Sequence, residues 1–346
     1  MTRAVTDAPD HNAIDAAARA LEGGRLVAFP TETVYGLGAD AENPQAVAAI
    51  YAAKGRPQDH PVIVHVAPGA DLDHWACAIP PEARQLAEAF WPGPLTMILK
   101  RAPGIPDAVS GGQDTVGIRC PSHPVAIELL RAFKGGRGGI AAPSANKFGH
   151  VSPTTAQHVR DEFGIDPRLA FVLDGGQSEV GIESTIVDMS RLATHGPVLL
   201  RPGHISADAI EAVIGEKPAR PDAAAPRASG TLESHYAPHT PVAMQDTATL
   251  QGTLSDLHAA GRKVALIHYS ALPSTHAQVD LPATPEGFAY ALYAALRAMD
   301  GSGADVILVE APPQDGAWLG VNDRLRRAAH GSSGIVHGLI NNTPGL

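Results

Sequence analysis

Short apolar segments recur along the N-terminal part of this chain, and each has the length of a buried strand. They lie at residues 25–29, 62–66, 95–100, 115–119, 139–142, 171–174, 184–188 and 197–200. Helical patterns occur at residues 12–22 and after Asn43-Pro44, and we expect Ser152-Pro153 to open another helix in the same way. Because few of these segments form clean strand–helix–strand repeats, the pattern predicts a mixed α/β sheet domain rather than a barrel.

The C-terminal part of the chain follows a different pattern. Residues 215–228 contain recurrent prolines and no periodicity, which is typical of a linker. Beyond them, strand and helix patterns alternate at residues 264–269, 286–299, 304–309 and 320–330, which predicts a small doubly wound parallel sheet. No Gly-x-Gly-x-x-Gly motif follows a strand there, so we assign no dinucleotide to this domain.

Charge and cysteine content narrow the possible functions. The 346 residues carry a formal net charge of −10, which argues against a protein that coats nucleic acid non-specifically. Cys77 and Cys120 are too few for a disulfide scaffold or an all-cysteine zinc site. Without a long apolar run or a secretory signal in the sequence, we expect a soluble, cytoplasmic protein that does not enter membranes.

Several familiar motifs are missing from the sequence. It contains neither a P-loop nor the Gly-x-Ser-x-Gly turn of serine hydrolases. His235 and His239 are spaced like zinc ligands on a helix, but Pro238 would break that helix, so no metal site is predicted. The glycine-rich residues 135–139 follow a helix rather than a strand, which favours a flexible connector over a phosphate loop.

Two segments could hold a polar ligand. A buried strand runs into residues 30–38, where Thr31 and Thr33 stand beside glycines. Such a turn can present hydroxyls to a ligand, although threonines that bond their own backbone would explain it equally well. Lys54 and Arg56 follow a helix, where they either complement the negative end of its dipole or bind a polyphosphate.

Two strands carry polar side chains among apolar ones. For His65, a buried and hydrogen-bonded histidine is the commoner explanation. Thr115, Gly117 and Arg119 share one face of their strand, where an anion pocket is slightly favoured over a structural salt bridge for the arginine. Other strand ends carry Ser, Thr or Arg beside Gly or Pro, at residues 141–146, 181–185 and 201–203. From its residues alone, the chain is an anion- or nucleotide-binding α/β protein with a basic pocket.

Taken in order, these motifs resemble those of the threonylcarbamoyl-AMP synthases of the YrdC/YwlC family, in their long two-domain form. The resemblance is carried by residues 30–38, 54–57, 61–65, 115–119, 142–146, 181–185, 201–203 and 235–238. It implies a twisted, mixed α/β YrdC-like domain with a concave basic cleft and a smaller Rossmann-like C-terminal domain. The implied division is an N-terminal tail at 1–11, a catalytic domain at 12–214, a linker or lid at 215–240 and the C-terminal domain at 241–346.

The resemblance also implies an activity. A nucleotidyltransferase of this family forms L-threonylcarbamoyl-AMP and pyrophosphate from L-threonine, bicarbonate and ATP, with Mg2+, for the N6-threonylcarbamoyladenosine (t6A) modification of ANN-decoding tRNAs. Carried over by motif, the threonine-binding residues are Thr33, His65, Arg119, Ala142 and Ser184. The ATP-binding residues are Arg56, His60, Thr115, Ser144, Ser152, Arg201 and Tyr236, with Lys54 and Arg56 as the catalytic cations. The implied partners are TsaB, TsaD and TsaE proteins, with a weak contact to tRNA.

Two other functions stay open on the sequence. A YrdC-like cleft could hold RNA without catalysis, which the acidic net charge disfavours because phosphate contacts need many cations. Carbamoyl-adenylate chemistry, as in hydrogenase maturation, would normally accompany zinc-finger segments, and two cysteines cannot supply these.

Overall fold

The computed structural model of the protein describes residues 10–232 and 235–341. Parts of the predicted tail, linker and C-terminal domain, at residues 1–9, 233–234 and 342–346, therefore lie outside the described residues. The chain divides into two compact units. The first runs through Phe148 and includes Pro153–Thr231, and the second combines Gly149–Ser152 with the chain from Leu232 onward.

The first unit is built on a mixed sheet of nine strands, counted over the described residues. The strands are β1 Leu26–Phe29, β2 Gly36–Asp40, β3 Ile63–Val66, β4 Leu95–Lys100, β5 Thr115–Arg119, β6 Gly139–Ala141, β7 Leu169–Val172, β8 Thr185–Asp188 and β9 Val198–Arg201. Their order in space is β7-β1-β2-β6-β3-β5-β4-β8-β9. The pairs β1-β7, β3-β5 and β4-β8 are parallel and the others antiparallel, which confirms the predicted mixed sheet.

Helices and short turns connect these strands. They are α1 His11–Glu22, α2 Pro44–Lys54, α3 Leu72–Trp75, α4 Pro81–Phe90, α5 Asp107–Ser110, α6 Pro124–Ala132, a 3-10 turn at Phe133–Gly136, α7 Ala156–Phe163, α8 Leu192–His195 and α9 Ala207–Ile214. Helix α2 shows the expected local signals, because the Asn43 side chain accepts hydrogen bonds from its first turn and Gly55 ends it with a φ of 66°.

The core lies on both faces of this sheet. On one face, Val64, Val66, Val116 and Ile118 join a large cluster with helices such as α2 and α4. On the other face, α1 and α6 cover the part of the sheet near β1. Next to that part, a small patch of Ile63, Ile98, Ile186, Val198 and Leu200 packs against Ala225 and Ala228 of the predicted linker. By strand alternation, His65 and Arg119 share this second face with Ile63.

In the first unit, the structure corrects one prediction and adds one strand. Ser152-Pro153 does not open a helix: α7 begins at Ala156, capped by the Thr155 side chain, and the Pro153 carbonyl instead accepts a hydrogen bond from the Tyr35 amide. Strand β2 was not predicted, because its sequence is rich in glycine. Gly38 is needed there, since a Cβ atom at this position would lie 2.7 Å from Ile140.

The second unit has a parallel sheet in the order β10-β13-β11-β12. Its strands are β10 Val242–Gln245, β11 Val264–His268, β12 Ala277–Asp280 and β13 Val306–Glu310. Its helices are α10 Thr247–Ala259, α11 Pro285–Asp300, α12 Leu319–Ala328 and α13 Ile335–Ile340, with a 3-10 turn at Gly316–Trp318. This is the predicted small parallel domain. Over the described ranges, none of the helices combines the length and the apolar character needed to cross a bilayer.

Candidate active site

Arg119, at the end of β5, forms the centre of a buried polar cluster. Its Nη1 donates a hydrogen bond of 2.9 Å to the Thr33 hydroxyl, and its Nη2 lies 2.6 Å from Oε1 of Glu32. The three residues are between 0 and 4% exposed. The salt bridge that the sequence suggested for Arg119 therefore exists, with Glu32 as its partner. The same guanidinium also contacts the Thr33 hydroxyl.

The turn at residues 31–34 fixes the Thr33 hydroxyl. The Thr31 hydroxyl donates to the carbonyl of Val34 at 2.6 Å, so its 2.9 Å contact with the Thr33 oxygen uses the proton of Thr33. The Thr33 oxygen thus donates to Thr31 and accepts from Arg119, which leaves one lone pair. Thr31 thus bonds the backbone of its own turn, whereas the Thr33 hydroxyl is held by Arg119 of β5.

His65 lies beside Arg119, because β3 and β5 pair in parallel with these two residues in register. It is 3% exposed, and its ring meets the Phe29 ring edge-on at 6.0 Å. Burial, and then the positive charge of Arg119, lower the pKa of His65 to about 3. At neutral pH the imidazole is therefore uncharged and the guanidinium is the cation of this pair.

The His65 ring makes a testable contribution to stability. Its pKa of about 3 in the folded protein lies below the ordinary 6.5, so the unfolded chain binds the proton first as the pH falls. We expect this group to remove about 2 kcal/mol from the free energy of unfolding between pH 7.5 and pH 5. Denaturant titrations should show this loss in the wild type and a smaller one in His65→Gln. The exposed His204→Gln serves as the control, and equal slopes for all three proteins would contradict the burial argument.

A second polar group lies where β8 begins. The hydroxyls of Ser184 and Thr96 are 2.8 Å apart, and both residues are fully buried. Arg201 donates from Nη2 to the Ser184 hydroxyl at 3.1 Å and from Nε to its carbonyl at 3.0 Å. An arginine on β9 thus orients a serine hydroxyl on the neighbouring strand.

Lys54, the last residue of α2, is buried and holds a neighbouring loop. Its ammonium donates to the carbonyl of Ser144 at 2.7 Å and to the carbonyl of Asn146. Burial, and then the charge of Arg56, keep the pKa of Lys54 well below its usual range. The lysine therefore does more than complement the helix dipole, because it fixes the backbone of a motif singled out in the sequence.

Arg56 and Arg201 both contact Ser229 of the predicted linker. Arg201 donates from Nη1 to the carbonyl of Ser229 at 2.7 Å, and Arg56 reaches the Ser229 hydroxyl at 3.4 Å. Arg56 also donates to the carbonyl of Pro61 at 2.8 Å. Two residues earlier in the linker, the amide of Arg227 donates to Gln113 at 2.8 Å. Since Ala225 and Ala228 pack on the Ile63 patch, residues 225–229 pass over the sheet face that carries the polar clusters.

Strand β5 gives this face two ends. Thr115 and Arg119 share one side of the strand about 13 Å apart, with Gly117 between them. A Cβ atom on Gly117 would lie 3.1 Å from Ile98 and 3.5 Å from Ile63. The glycine therefore leaves the centre of this face without a side chain between Thr115 and Arg119. Thr33 and His65 lie at the Arg119 end. Arg56 lies toward the Thr115 end, because it bonds the carbonyl of Pro61, two residues before the Ile63 that pairs with Gly117.

The predicted site residues fall into two sets. Most of them belong to the first unit: Thr33, Lys54, Arg56, His60, His65, Thr115, Arg119, Ala142, Ser144, Ser184 and Arg201. Among them, the Ala142 amide donates to the carbonyl of Ile63 at 2.9 Å. His60 is half-buried, and burial, followed by the charge of Arg56, lowers its pKa. Ser152 and Tyr236 belong to the second unit.

Sequence reasoning assigned no role to three residues that complete these clusters. Glu32 pairs with Arg119, Thr96 with Ser184, and Ser229 with two arginines. The signal for Glu32 was present, since a carboxylate stood between two threonines in the turn. Ser229 lay in the predicted linker, but no partner was assigned to it. Thr96 carried no comparable signal, because its partner is distant in the sequence.

Comparison with known proteins covers both units. The model of the family described as "Telomere recombination" (Sua5_yciO_yrdC) matches residues 19–203. That of "Threonylcarbamoyl-AMP synthase, C-terminal domain" (Sua5_C) matches residues 205–330.

Two curated relatives and one solved structure match this chain over most of their length. A threonylcarbamoyl-AMP synthase of Pyrococcus abyssi is 40% identical over 319 residues, which are 88% of this chain and 91% of the relative. That of Bacillus subtilis is 41% identical over 336 residues, which are 91% and 92% of the two chains. The crystal structure of P. abyssi Sua5 complexed with L-threonine matches with a TM-score of 0.85 at 39% identity, covering 92% of this chain and 95% of that one.

Proposed function

The chain belongs to the Sua5/YrdC family of threonylcarbamoyl-AMP synthases in its long two-domain form, and we propose that it is itself an L-threonylcarbamoyladenylate synthase. It converts L-threonine, bicarbonate and ATP into L-threonylcarbamoyl-AMP and pyrophosphate. The L-threonylcarbamoyl-AMP serves the t6A modification of tRNA. The observation that carries this proposal is the buried Arg119–Thr33 pair, at one end of a sheet face whose other end carries Arg56.

The Arg119 end supplies what an amino acid needs. A guanidinium can take the threonine carboxylate through two parallel hydrogen bonds. The remaining lone pair of Thr33 can accept a proton from the substrate, and Ser184 offers a second hydroxyl. Because His65 is uncharged, it adds no second cation beside Arg119. His65 and the backbone near Ala142 complete the proposed threonine site.

The Arg56 end supplies what a nucleotide triphosphate needs. Arg56 and Arg201 would bind phosphate oxygens, and Lys54 would lie beside them while it holds the loop that carries Ser144. The other proposed contacts to ATP are His60, Thr115, Ser152 and Tyr236. Ser229 contacts both arginines. Binding of phosphate by these arginines would therefore change the contacts of the linker.

The chemistry follows from these two ends. The neutral amine of threonine takes up bicarbonate as a carbamate with loss of water, and a carbamate oxygen then attacks the α-phosphorus of ATP. The bond from this phosphorus to the bridging oxygen breaks, and pyrophosphate leaves with the electron pair. Negative charge grows on the phosphoryl oxygens, where fixed cations lower the barrier. Binding all substrates on one sheet face also gains by proximity.

Magnesium would enter with ATP as part of the substrate. Over residues 10–232 and 235–341, no group of three or more His, Cys, Asp or Glu side chains could hold a metal ion. The proposed phosphate site offers cations rather than carboxylates, so no catalytic step is assigned to a protein-bound metal. We further propose that the product passes to TsaB, TsaD and TsaE proteins, with at most a weak contact of this chain to tRNA.

The activity is tested by omission. The purified full chain with MgATP, L-threonine and bicarbonate should release pyrophosphate and form a product with the mass of threonylcarbamoyl-AMP. Leaving out threonine or bicarbonate should abolish both signals, because each substrate supplies atoms of the product. Pyrophosphate release that is unchanged without threonine would refute the proposal. Salt-dependent tRNA binding without adenylate formation would instead favour the RNA-binding alternative.

A further inference from the structure

Tyr236, at the end of the predicted linker, has a backbone conformation that its residue type rarely adopts. Its φ is 61°, in the left-handed region that favours glycine. Its side chain is 1% exposed. A bulky residue keeps such a conformation only where its surroundings fix it.

Side chains of the second unit lie around the tyrosine ring. The neighbouring His235 ring stands edge-on at 4.1 Å between centroids, and the Tyr293 ring of α11 lies at 5.6 Å. The guanidinium carbon of Arg324, on α12, lies 5.6 Å from the centre of the Tyr236 ring. This distance allows a cation–π contact.

Arg324 is completely buried. Its Nη1 lies 3.1 Å from Oδ2 of Asp323. Burial alone would raise the pKa of Asp323, but the charge of Arg324 and the bonds from Arg327 hold that pKa below its ordinary value. A buried ion pair is a poor source of stability, because apolar side chains of similar size often stabilise at least as well. The guanidinium at this position therefore calls for another role.

The same helix turn holds the backbone beside Tyr236. Arg327 donates from Nη1 to the carbonyl of Leu232, and its own carbonyl accepts from the His235 amide at 3.5 Å. Its Nε and Nη2 donate to Asp323 at 3.0 and 3.1 Å. One carboxylate thus orders both the arginine on the tyrosine ring and the arginine on the flanking backbone.

We propose that Arg324 is a positioning residue that fixes the orientation of the Tyr236 ring and acts on ATP binding through it. This inference rests on the proposed role of Tyr236 as an ATP contact. It gives helix α12 of the C-terminal domain a part in the reaction that is separate from packing.

The test compares Arg324→Met with the matched control Arg326→Met in the full-length protein. Both variants remove a guanidinium bound to Asp323, but the side chain of Arg326 is 73% exposed and contacts solvent. For Arg324→Met, the KM for ATP should rise about 5- to 20-fold, the range of a buried cation–π contact. The KM for L-threonine and kcat should change less than about twofold, as should all constants of Arg326→Met. A merely structural role would lower the melting temperature or the active fraction and leave both KM values unchanged, which would overturn the proposal.

A double-mutant cycle separates this inference from the proposed function. In a Tyr236→Ala background, Arg324→Met should no longer change the KM for ATP, because the residue through which it acts is gone. Independent effects that multiply would overturn the positioning role while wild-type activity stands. A wild type without threonine-dependent pyrophosphate release would refute the proposed function instead. If Arg324→Met fails to fold, Arg324→Gln removes the cation from the Tyr236 ring, keeps an N–H donor beside Asp323 and carries the same comparison.

Discussion

Replacement of Arg119 by alanine is expected to raise the KM for L-threonine about 100-fold or more, since each charge-assisted hydrogen bond contributes about 1.5–3 kcal/mol. The KM for ATP should change less than about threefold, because the proposed phosphate contacts lie toward the other end of β5. Initial rates of pyrophosphate release, measured against each substrate, give both constants. Arg84→Ala, which removes an exposed arginine of the same unit, should leave them unchanged.

The buried Glu32 requires a second variant. Without Arg119, its carboxylate is left in the interior, and we expect a loss of about 3–5 kcal/mol in the free energy of unfolding. In Arg119→Ala/Glu32→Gln, much of that stability should return while the KM for threonine stays high. If the double variant regains normal threonine affinity, then Arg119 only neutralises Glu32 and is not the carboxylate contact.

Replacement of Lys54 by methionine is expected to lower kcat/KM for ATP by about 100- to 1000-fold, the usual cost of removing one fixed group that stabilises developing charge. Methionine fills a similar volume, so the core around α2 keeps its packing. The carbonyls of Ser144 and Asn146 lose their common donor, and the proposed phosphate loop loses its support. The KM for L-threonine should change less than about threefold, because Lys54 has no contact with the Arg119 cluster.

Lys147→Met is the matched control for Lys54. Its ammonium also donates to a backbone carbonyl, that of Ala53 at 2.8 Å, but we assign it no phosphate contact. Melting temperatures measured beside the kinetics separate loss of folding from loss of activity. Similar losses of kcat/KM in the two variants would show that Lys54 matters only as a structural donor.

The sequence determined most of the secondary structure because the signals for it are local. Helix α2 begins at Pro44 and ends at Lys54 because an Asn cap and a left-handed glycine flank it. Strands β3, β4 and β5 follow from their apolar runs, and alternation along β5 placed Thr115, Gly117 and Arg119 on one face. The family motifs supplied the residue types of the candidate site.

Tertiary structure overrode the local signals in other places. The glycines of β2 looked like a turn, but they form a strand because Ile140 and Phe29 pack where a side chain at Gly38 would stand. Ser152-Pro153 looked like a helix start, but no helix forms there and Thr155 provides the cap of α7. Capping residues indicate that a helix can start at a position, and competing backbone partners decide whether it does.

Pairings between distant residues were decided only in the folded chain. Arg119 bonds a hydroxyl 86 positions earlier in the sequence, and Lys54 bonds a carbonyl 90 positions later. Sequence spacing carries no information on such contacts, because they depend on the order in which strands join the sheet. That order also sets how deeply each charge is buried, and hence that His65 is neutral, that Lys54 has a lowered pKa and that Glu32 faces Arg119.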